Sequence, residues 1–297
     1  GLGVAMEVGK EWLAASGGCC IADGLLNPLE VVKVRLQLQS TGYYPGLVGG
    51  LRRAAAEEGV FRGLWWPGLY ATWIRAFTTV GFRIGMYPTM KRQLWTRAEE
   101  PPLRIKILSG MLSGGIGAAI FCPIEVVRIR MQAEGGRVGR DGRLETGLYA
   151  GQRPRYATVL GTFRAILESS GVLRGLWGGA EWTVSRAAVL SGSQLASYDS
   201  LKRVAKERGL LEEGPALHMS CSLASGFIAQ TCIQPVDTLR SVVMAQRGGD
   251  VIPGIRSEGP AYLYRGFIAA CCRQGPIMLI QMPLVEGLRG FLGLGPL

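Results

Sequence analysis

A short charged pattern recurs three times along the chain and constrains its fold more than any other feature. Each copy has a proline, an acid two residues later and a base three residues further on. The copies read Pro28-Leu-Glu30-Val-Val-Lys33, Pro123-Ile-Glu125-Val-Val-Arg128 and Pro235-Val-Asp237-Thr-Leu-Arg240. Because self-similarity at a fixed period indicates a repeat architecture, we divide the chain into repeat 1 (1–100), repeat 2 (101–210) and repeat 3 (211–297).

Composition narrows the class of protein. Apolar residues make up 48% of the 297 residues and charged residues 19%, whereas soluble domains have about 25% charged residues. The net charge of +11 combined with this apolarity favours an anionic membrane, an anionic solute or both over a nucleic acid. A single His leaves little room for His-based catalysis, and the seven cysteines form no metal or disulfide pattern. We therefore expect neither an enzyme nor a metal site.

Six stretches approach the length and apolarity of a membrane span, and four of them contain charged residues near their middle. A charge at that depth costs about 2.5–3.5 kcal/mol or more unless it faces water or a partner. The arginines therefore predict a water-filled interior that receives an anion; the alternative is a soluble protein with partly exposed helices. The six stretches are 12–28 (with Asp23), 69–90 (with Arg75 and Arg83), 107–124, 183–198 (with Arg186), 214–236 and 268–285 (with Arg273).

The arginines follow the repeat. Arg75, Arg186 and Arg273 each lie nine residues after an aromatic residue, and thirteen residues after them come Pro88, Asp199 and Glu286. Each repeat is therefore predicted as a span, a polar segment and a second span. The fold class is an all-α membrane protein with six transmembrane helices in three pseudo-threefold repeats, and the site lies near the midplane where repeats meet.

These residues resemble the mitochondrial carrier family, whose signature continues with acid-Gly-x4-aromatic-base-Gly. Repeat 3 has this second half complete, from Glu258-Gly259 to Tyr264-Arg265-Gly266, and repeats 1 and 2 have it in degenerate form, ending at Gly68 and Gly179. The segments Cys20–Asp23, Arg75–Tyr87, Arg186–Asp199 and Arg273–Pro276 look most like the branch of dicarboxylate carriers, 2-oxoglutarate carriers and uncoupling proteins.

The resemblance implies a gate at each end of the bundle. At the matrix side, the acid of one repeat would pair with the base of another, giving Glu30–Arg128, Glu125–Arg240 and Asp237–Lys33, with Gln37 and Gln132 as bracing glutamines and Met244 in the third such place. At the cytoplasmic side the gate residues would be Lys91, Asp199, Lys202, Glu286 and Arg289. Pro88 stands where this second gate would have its third acid.

The resemblance also suggests how solute and lipid bind. Arg75, Arg83, Arg186 and Arg273 are the expected solute-binding groups, because guanidinium can bind a carboxylate through two parallel hydrogen bonds. Asp23 could balance their charge, carry a proton or pair with Arg83. Short amphipathic helices on the matrix side would bind cardiolipin at their N-termini, and the candidate lipid-binding residues are Tyr44, Gly46, Tyr264 and Gly266; no other cofactor is expected.

The function that the resemblance implies is exchange of small dicarboxylates, of the malate and 2-oxoglutarate type, across the mitochondrial inner membrane. The carrier would be monomeric, would work by alternating access (antiport) and would have both termini toward the intermembrane space. Two alternatives stay open: a carrier-fold subunit of a larger inner-membrane, respiratory complex with little transport, and an uncoupling-type leak of protons or anions. Val242 in place of a base, a short third repeat and the long Gly/Arg segment 135–155, expected to be solvated or partner-binding, depart from the family pattern.

Overall fold

The computed structural model describes residues 2–39, 42–95, 103–207, 215–245 and 259–293. In these ranges the chain is built of α-helices, short π-helical turns and one 3₁₀ turn, and an isolated bridge between Val138 and Leu144 is the β contact found there. The helices are α1 Leu2–Leu25, α2 Asn27–Leu38, α3 Gly46–Glu58, α4 Leu69–Arg75, α5 Gly81–Leu94, α6 Leu103–Ile120, α7 Cys122–Glu134, α8 Val159–Ser170, α9 Ala180–Glu207, α10 Pro215–Ala245 and α11 Phe267–Phe291.

The first long helical unit of each repeat carries the signature proline. Repeats 1 and 2 break just before it, at Leu26 (φ −95°, ψ 7°) and Phe121 (φ −97°, ψ 13°). The breaks lie there because a proline has no N–H to continue the ladder but fits the first turn of the next helix. The apolar pair Leu108–Ile120 and Cys122–Glu134 is bent by 66°. In repeat 3, by contrast, α10 continues through Pro235.

The second long helical unit of each repeat begins at a glycine in the left-handed region, where the absence of a Cβ matters. These are Gly68 (φ 69°), Gly179 (φ 90°) and Gly266 (φ 73°). In repeat 1 this unit consists of α4, a π-helical turn at Ala76–Val80 and α5. The π turn lies between Arg75 and Arg83, and such turns occur frequently at functional sites.

The six predicted spans are therefore helical, with ends that differ by several residues from the sequence-based limits. By length and apolarity alone, the stretch Gly259–Phe291 is the one described helix that passes as a membrane span, and the bent pair that ends at Glu134 passes when counted together. The other described helices do not pass this test of length, hydropathy and charge. Several of them carry the cavity and gate residues described below.

Two short helices, α3 and α8, connect the long units of repeats 1 and 2. Each buries one stripe, formed by Gly50, Ala54 and Glu58 in α3 and by Thr162 and Ile166 in α8. Neighbouring residues of each stripe are four positions apart, which is the spacing of one face of an amphipathic helix. Residues 246–258, in the shortened third repeat, lie outside the described residues.

The repeats meet along three seams, and each helix-starting glycine packs against the next repeat. A Cβ on Gly68 would lie 2.7 Å from Cγ of Gln132 (seam 1–2), one on Gly179 3.0 Å from Cγ of Met244 (seam 2–3), and one on Gly266 3.1 Å from Cγ of Gln37 (seam 3–1). We call the end of the bundle that carries these contacts and the three signatures the signature end.

Candidate functional site

The three ion pairs expected between signatures are present. Nη2 of Arg128 donates to Oε1 of Glu30 at 3.1 Å, and Nζ of Lys33 donates to Oδ2 of Asp237 at 3.4 Å. Nη2 of Arg240 lies 3.0 Å from Oε2 of Glu125. Each pair joins two different repeats, so together they link the three repeats in a ring at the signature end. The role of this ring as a gate stays a prediction.

The signature acids have a second set of cationic partners, which also obeys the threefold symmetry. Nε of Arg186 donates to Oδ1 of Asp237, and Nε of Arg273 lies 2.8 Å from Oε2 of Glu30. Nε of Arg75 lies farther, 3.6 Å, from Oε1 of Glu125. Each arginine thus contacts the signature acid of the following repeat, so the expected solute-binding groups and the expected gate share the same carboxylates.

Asp23 lies between two of the cavity arginines. Its Oδ2 accepts from Nη2 of Arg75 at 2.6 Å and its Oδ1 accepts from Nη2 of Arg273 at 2.7 Å. The alternative partner that the sequence suggested, Arg83, is not the one the structure places there. The expectation failed because Asp23 bonds groups 52 and 250 residues away in the chain, and no repeat spacing encodes those contacts.

A cavity of about 270 Å³ lies above the ring, at the junction of the three repeats. Seven basic side chains and three acidic ones are among its lining residues, so the cavity has an excess of positive charge even with Asp23 counted. Arg83 lines the cavity and, among the described side chains, forms no ion pair within 4 Å. The charged lining residues are Lys33, Arg75, Arg83, Arg128, Arg186, Arg240, Arg273, Glu30, Glu125 and Asp237.

Among the described residues, the two bracing glutamines form no hydrogen bond with the ring, so their bracing role stays a prediction. Nε2 of Gln132 donates to Oδ1 of Asn27 at 3.3 Å. Both amide atoms of Gln37 are buried and have no hydrogen-bond partner among the described residues. Both side chains instead pack against glycines that start a long helix of another repeat, Gln132 against Gly68 and Gln37 against Gly266. Contacts between repeats therefore determine where these two side chains lie.

Sequence analysis missed a buried pair at the signature end. Nη1 and Nη2 of Arg35 donate to the two carboxylate oxygens of Glu58, at 2.8 and 2.9 Å, and Nη1 also lies 3.1 Å from the hydroxyl of Tyr44. The pair fastens α3 to α2. The sequence did contain a signal for this pair. Arg35 is the second base of the repeat 1 signature, and Glu58 is the acid with which the second half of that signature begins.

A surface cluster beside this pair is partly exposed. The hydroxyl of Tyr43 donates to Glu57, and Nε of Arg53 donates to the other oxygen of Glu57 at 2.7 Å. Burial and the bond to Glu57 raise the pKa of Tyr43. Burial opposes ionisation of Glu57, but the hydrogen bonds from Tyr43 and Arg53 outweigh it, so the pKa of Glu57 is below its usual range.

The remaining expected residues fall into two groups. Of the opposite gate, the side chain of Asp199 lies outside the described residues and Glu286 is exposed, while Lys91, Lys202 and Arg289 are half-buried. Of the lipid candidates, Tyr44 has a side chain that is buried and bonded to Arg35, which leaves its backbone for the expected lipid contact, and it stays a prediction. Gly46 and Gly266 stand at or beside helix N-termini and Tyr264 is exposed, so these three stay predictions.

Comparison with known proteins decides the family. The family model described as "Mitochondrial carrier protein" matches residues 5–98, 99–209 and 212–295. The chain belongs to the mitochondrial carrier family. The carrier is 32% identical to "Mitochondrial uncoupling protein 4" of Arabidopsis thaliana over 95% of this chain and 98% of that protein. It is 33% identical to "Mitochondrial uncoupling protein 5" of the same plant over 94% and 96%. It is 28% identical to "Mitochondrial brown fat uncoupling protein 1" of Ovis aries over 93% and 90%.

These matches confirm the resemblance and the all-α membrane fold in three repeats. They place the carrier near the uncoupling-protein branch and in the mitochondrial inner membrane, in a family that transports small solutes. Which solute crosses, in which direction the signature end faces and whether protons move with the solute are the subject of the following proposal.

Proposed function

We propose that this carrier mediates an uncoupling-type leak, in which a small anion and a proton cross the inner membrane together. The observation that carries the proposal is the position of Asp23, whose carboxylate occupies both Arg75 and Arg273. The similarity to proteins named as uncoupling proteins supports the same conclusion.

The coupling follows from competition for the same guanidinium groups. An anion that enters the cavity and binds Arg75 or Arg273 displaces the carboxylate of Asp23. Asp23 is the acid whose cations the anion occupies, so we assign Asp23 as the proton carrier. The anion and the proton then cross together, and the site resets when the carboxylate of Asp23 returns to its arginines.

The contacts between cavity arginines and signature acids connect binding with gate opening. An anion on Arg186 competes for the guanidinium that holds Asp237, and one on Arg273 competes with Glu30. Binding therefore weakens the ring from the cavity side. We assign the signature end to the matrix, as the family resemblance implies, and alternating access as the mechanism.

The test uses purified protein in liposomes that contain a pH-sensitive dye and labelled malate. Wild-type protein should acidify the lumen when external malate is added, and Asp23→Asn should transport malate without moving protons. If wild type and Asp23→Asn exchange malate for 2-oxoglutarate equally fast and neither moves protons, the leak proposal is wrong.

That outcome would support a second candidate, the exchange of small dicarboxylates. It is favoured by Arg83, a cavity guanidinium without an ion pair among the described side chains, and by the positive excess of the lining. The cavity of about 270 Å³ lies below the ~300–1,000 Å³ typical of sites for drug-sized ligands, which suits a small carboxylate.

We also propose that an anionic lipid such as cardiolipin binds at the signature end near Tyr264 and Gly266. The exposed ring of Tyr264 next to the start of α11 supports this, because backbone N–H groups at a helix N-terminus favour phosphate. Cardiolipin should raise the melting midpoint of wild type more than that of Tyr264→Ala.

A further inference from the structure

The second base of each signature reaches across a seam, except in repeat 3. Nε of Arg35 lies 3.5 Å from the carbonyl oxygen of Gln132, across seam 1–2. Nε of Arg130, the equivalent residue, donates to the carbonyl oxygen of Met244 at 3.0 Å, across seam 2–3. The third equivalent is Val242, a buried side chain with no donor. Seam 3–1 therefore lacks the link that the other two seams have.

Seam 1–2 has an additional connection from the segment between α7 and α8. This segment has 24 residues, compared with seven between α2 and α3. We call residues 135–158 the strap. Its two ends are held together by Glu134, whose Oε2 accepts from the backbone N–H groups of Arg155 and Tyr156. The expectation that 135–155 is solvated or partner-binding agrees with the exposure of most of its residues, although Leu144 and Gly147 are buried.

The strap packs onto repeat 1. Leu148 packs against the apolar cluster whose members are Val32, Leu36, Tyr44, Ala54 and Leu64 of repeat 1 and Ala269 of repeat 3. The next residue, Tyr149, packs against a second cluster, which includes Ala71 of repeat 1 and Ile166 and Leu176 of repeat 2. A Cβ on Gly135 would lie 2.9 Å from Cγ of Pro67, and one on Gly147 would lie 3.6 Å from Oε1 of Glu58, so the backbone of the strap lies against repeat 1. One segment is thus fastened to repeats 1 and 2, and none of its residues lines the cavity.

The ion pairs of seam 3–1 are weaker or face the cavity. Its ring pair is Lys33–Asp237, in which an ammonium group at 3.4 Å takes the place of a guanidinium, and Asp237 is shared with Arg186. Its other ion pairs, Arg273–Glu30 and Arg273–Asp23, involve a cavity arginine that an entering anion can occupy. Arg35 and the strap, in contrast, do not line the cavity.

We propose that the signature end opens unevenly, with repeat 3 separating from repeat 1 at seam 3–1 while Arg35 and the strap keep repeats 1 and 2 together. The ring then opens because repeat 3 moves away from repeats 1 and 2, which stay together. This inference does not depend on which solute crosses, because it concerns only the order in which the seams come apart.

Three matched backbone bonds report on the three seams. The amide of Thr72 donates to the carbonyl of Gly68 at 2.8 Å, that of Thr183 to Gly179 at 3.1 Å and that of Ala270 to Gly266 at 2.9 Å. Each bond is the first of a helix whose initial glycine packs on a different seam. Amide hydrogen exchange measures even rare openings, so it requires neither a solute nor a populated open state.

The experiment is hydrogen–deuterium exchange of the full-length protein in lipid nanodiscs. Peptides that cover 180–186 report on seam 2–3 for comparison. In wild type, the peptide that covers 267–273 should exchange about tenfold faster than the one that covers 69–75, which corresponds to about 1.4 kcal/mol in opening free energy. Equal rates, or faster exchange at 69–75, would overturn the proposal.

Variants test separately the two proposed causes of the difference between the seams, which are the missing donor at Val242 and the strap. Val242→Arg should slow exchange at 267–273 several-fold, and Val242→Leu, which adds no donor, should leave it unchanged. Tyr149→Ser, which loosens the cluster that contains Ala71, should speed exchange at 69–75 and not at 267–273, and Val138→Ser, on the exposed part of the strap, should do neither. If Tyr149→Ser affects both peptides equally, the strap is a general stabiliser and the proposal fails even if Val242→Arg does not fold.

Discussion

Arg35 and Glu58 form a salt bridge with two hydrogen bonds at 2.8 and 2.9 Å, and their side chains are 0% and 2% exposed. Removal of one partner from such a pair leaves a buried charge without compensation. The cost is about 3–5 kcal/mol, because the remaining ion has lost both water and counter-ion.

The first prediction follows from this pair. Glu58→Gln should lower the free energy of unfolding by about 3–5 kcal/mol. Its neighbour Glu57 is the matched control, since its side chain is partly exposed and surface pairs contribute about 1 kcal/mol or less. Denaturation of both variants in the same detergent measures the difference. Equal losses for Glu57→Gln and Glu58→Gln would mean that burial does not determine the strength of these pairs.

The second prediction concerns the ring. Glu125→Arg and Arg240→Glu, made singly, should each reduce transport strongly, because each places two like charges 3 Å apart in the geometry of this pair. The double reversal should restore part of the activity. Recovery should be incomplete, since Arg75 lies 3.6 Å from the carboxylate of Glu125 and would then face an arginine. A double variant no more active than the worse single variant would contradict the pairing.

The third prediction separates a solute-binding arginine from one that also supports the fold. Arg83→Gln should reduce affinity for malate about 10- to 100-fold, the effect of one charged hydrogen bond, with little change in the melting midpoint of the empty protein. Arg75→Gln should lower that midpoint by several degrees, because Asp23 and Glu125 lose a cation. Malate titrations followed by thermal unfolding give both quantities, and an equally low midpoint for Arg83→Gln would show a structural role.

The fourth prediction tests the close packing of the seams. Gly266→Ala combines a positive φ, which costs a residue with a Cβ about 1–2 kcal/mol, with a contact 3.1 Å from Cγ of Gln37. It should destabilise the protein. Gly275→Ala lies in the same helix, where an added Cβ meets nothing within 4 Å, and should be neutral or stabilising by up to about 1 kcal/mol. Thermal midpoints compare the two; a destabilised Gly275→Ala would point to an unrecognised contact there.

What could be predicted from the sequence was what the threefold repeat encodes. The pairs Glu30–Arg128, Glu125–Arg240 and Asp237–Lys33 follow from equivalent positions, and the structure has all three. The contacts of Arg75, Arg186 and Arg273 with the same acids obey this symmetry too. They could have been found by asking which acid each arginine meets in the next repeat.

What could not be predicted has no counterpart in the other repeats. The positions equivalent to Asp23, five residues before each signature proline, hold Ala118 and Gln230, so symmetry provides no partner for this acid. The strap is likewise unique to repeat 2, and its polar, glycine-rich composition concealed the two residues that pack, Leu148 and Tyr149. The partners of Asp23 and the packing of the strap both depend on side-chain contacts between residues that are far apart in the chain.

The unbroken course of α10 has a mechanical consequence. Its 31 residues extend about 46 Å at 1.5 Å per residue, more than the ~30 Å hydrocarbon thickness of a bilayer. Asp237 and Arg240 therefore share one rod with Leu217, near its other end. The units of repeats 1 and 2 are interrupted at Leu26 and Phe121, whereas α10 stays helical through Pro235. A tilt of α10 that parts Asp237 from Lys33 therefore also displaces its other end, so a change at one face of the membrane reaches the opposite face through a single continuous helix.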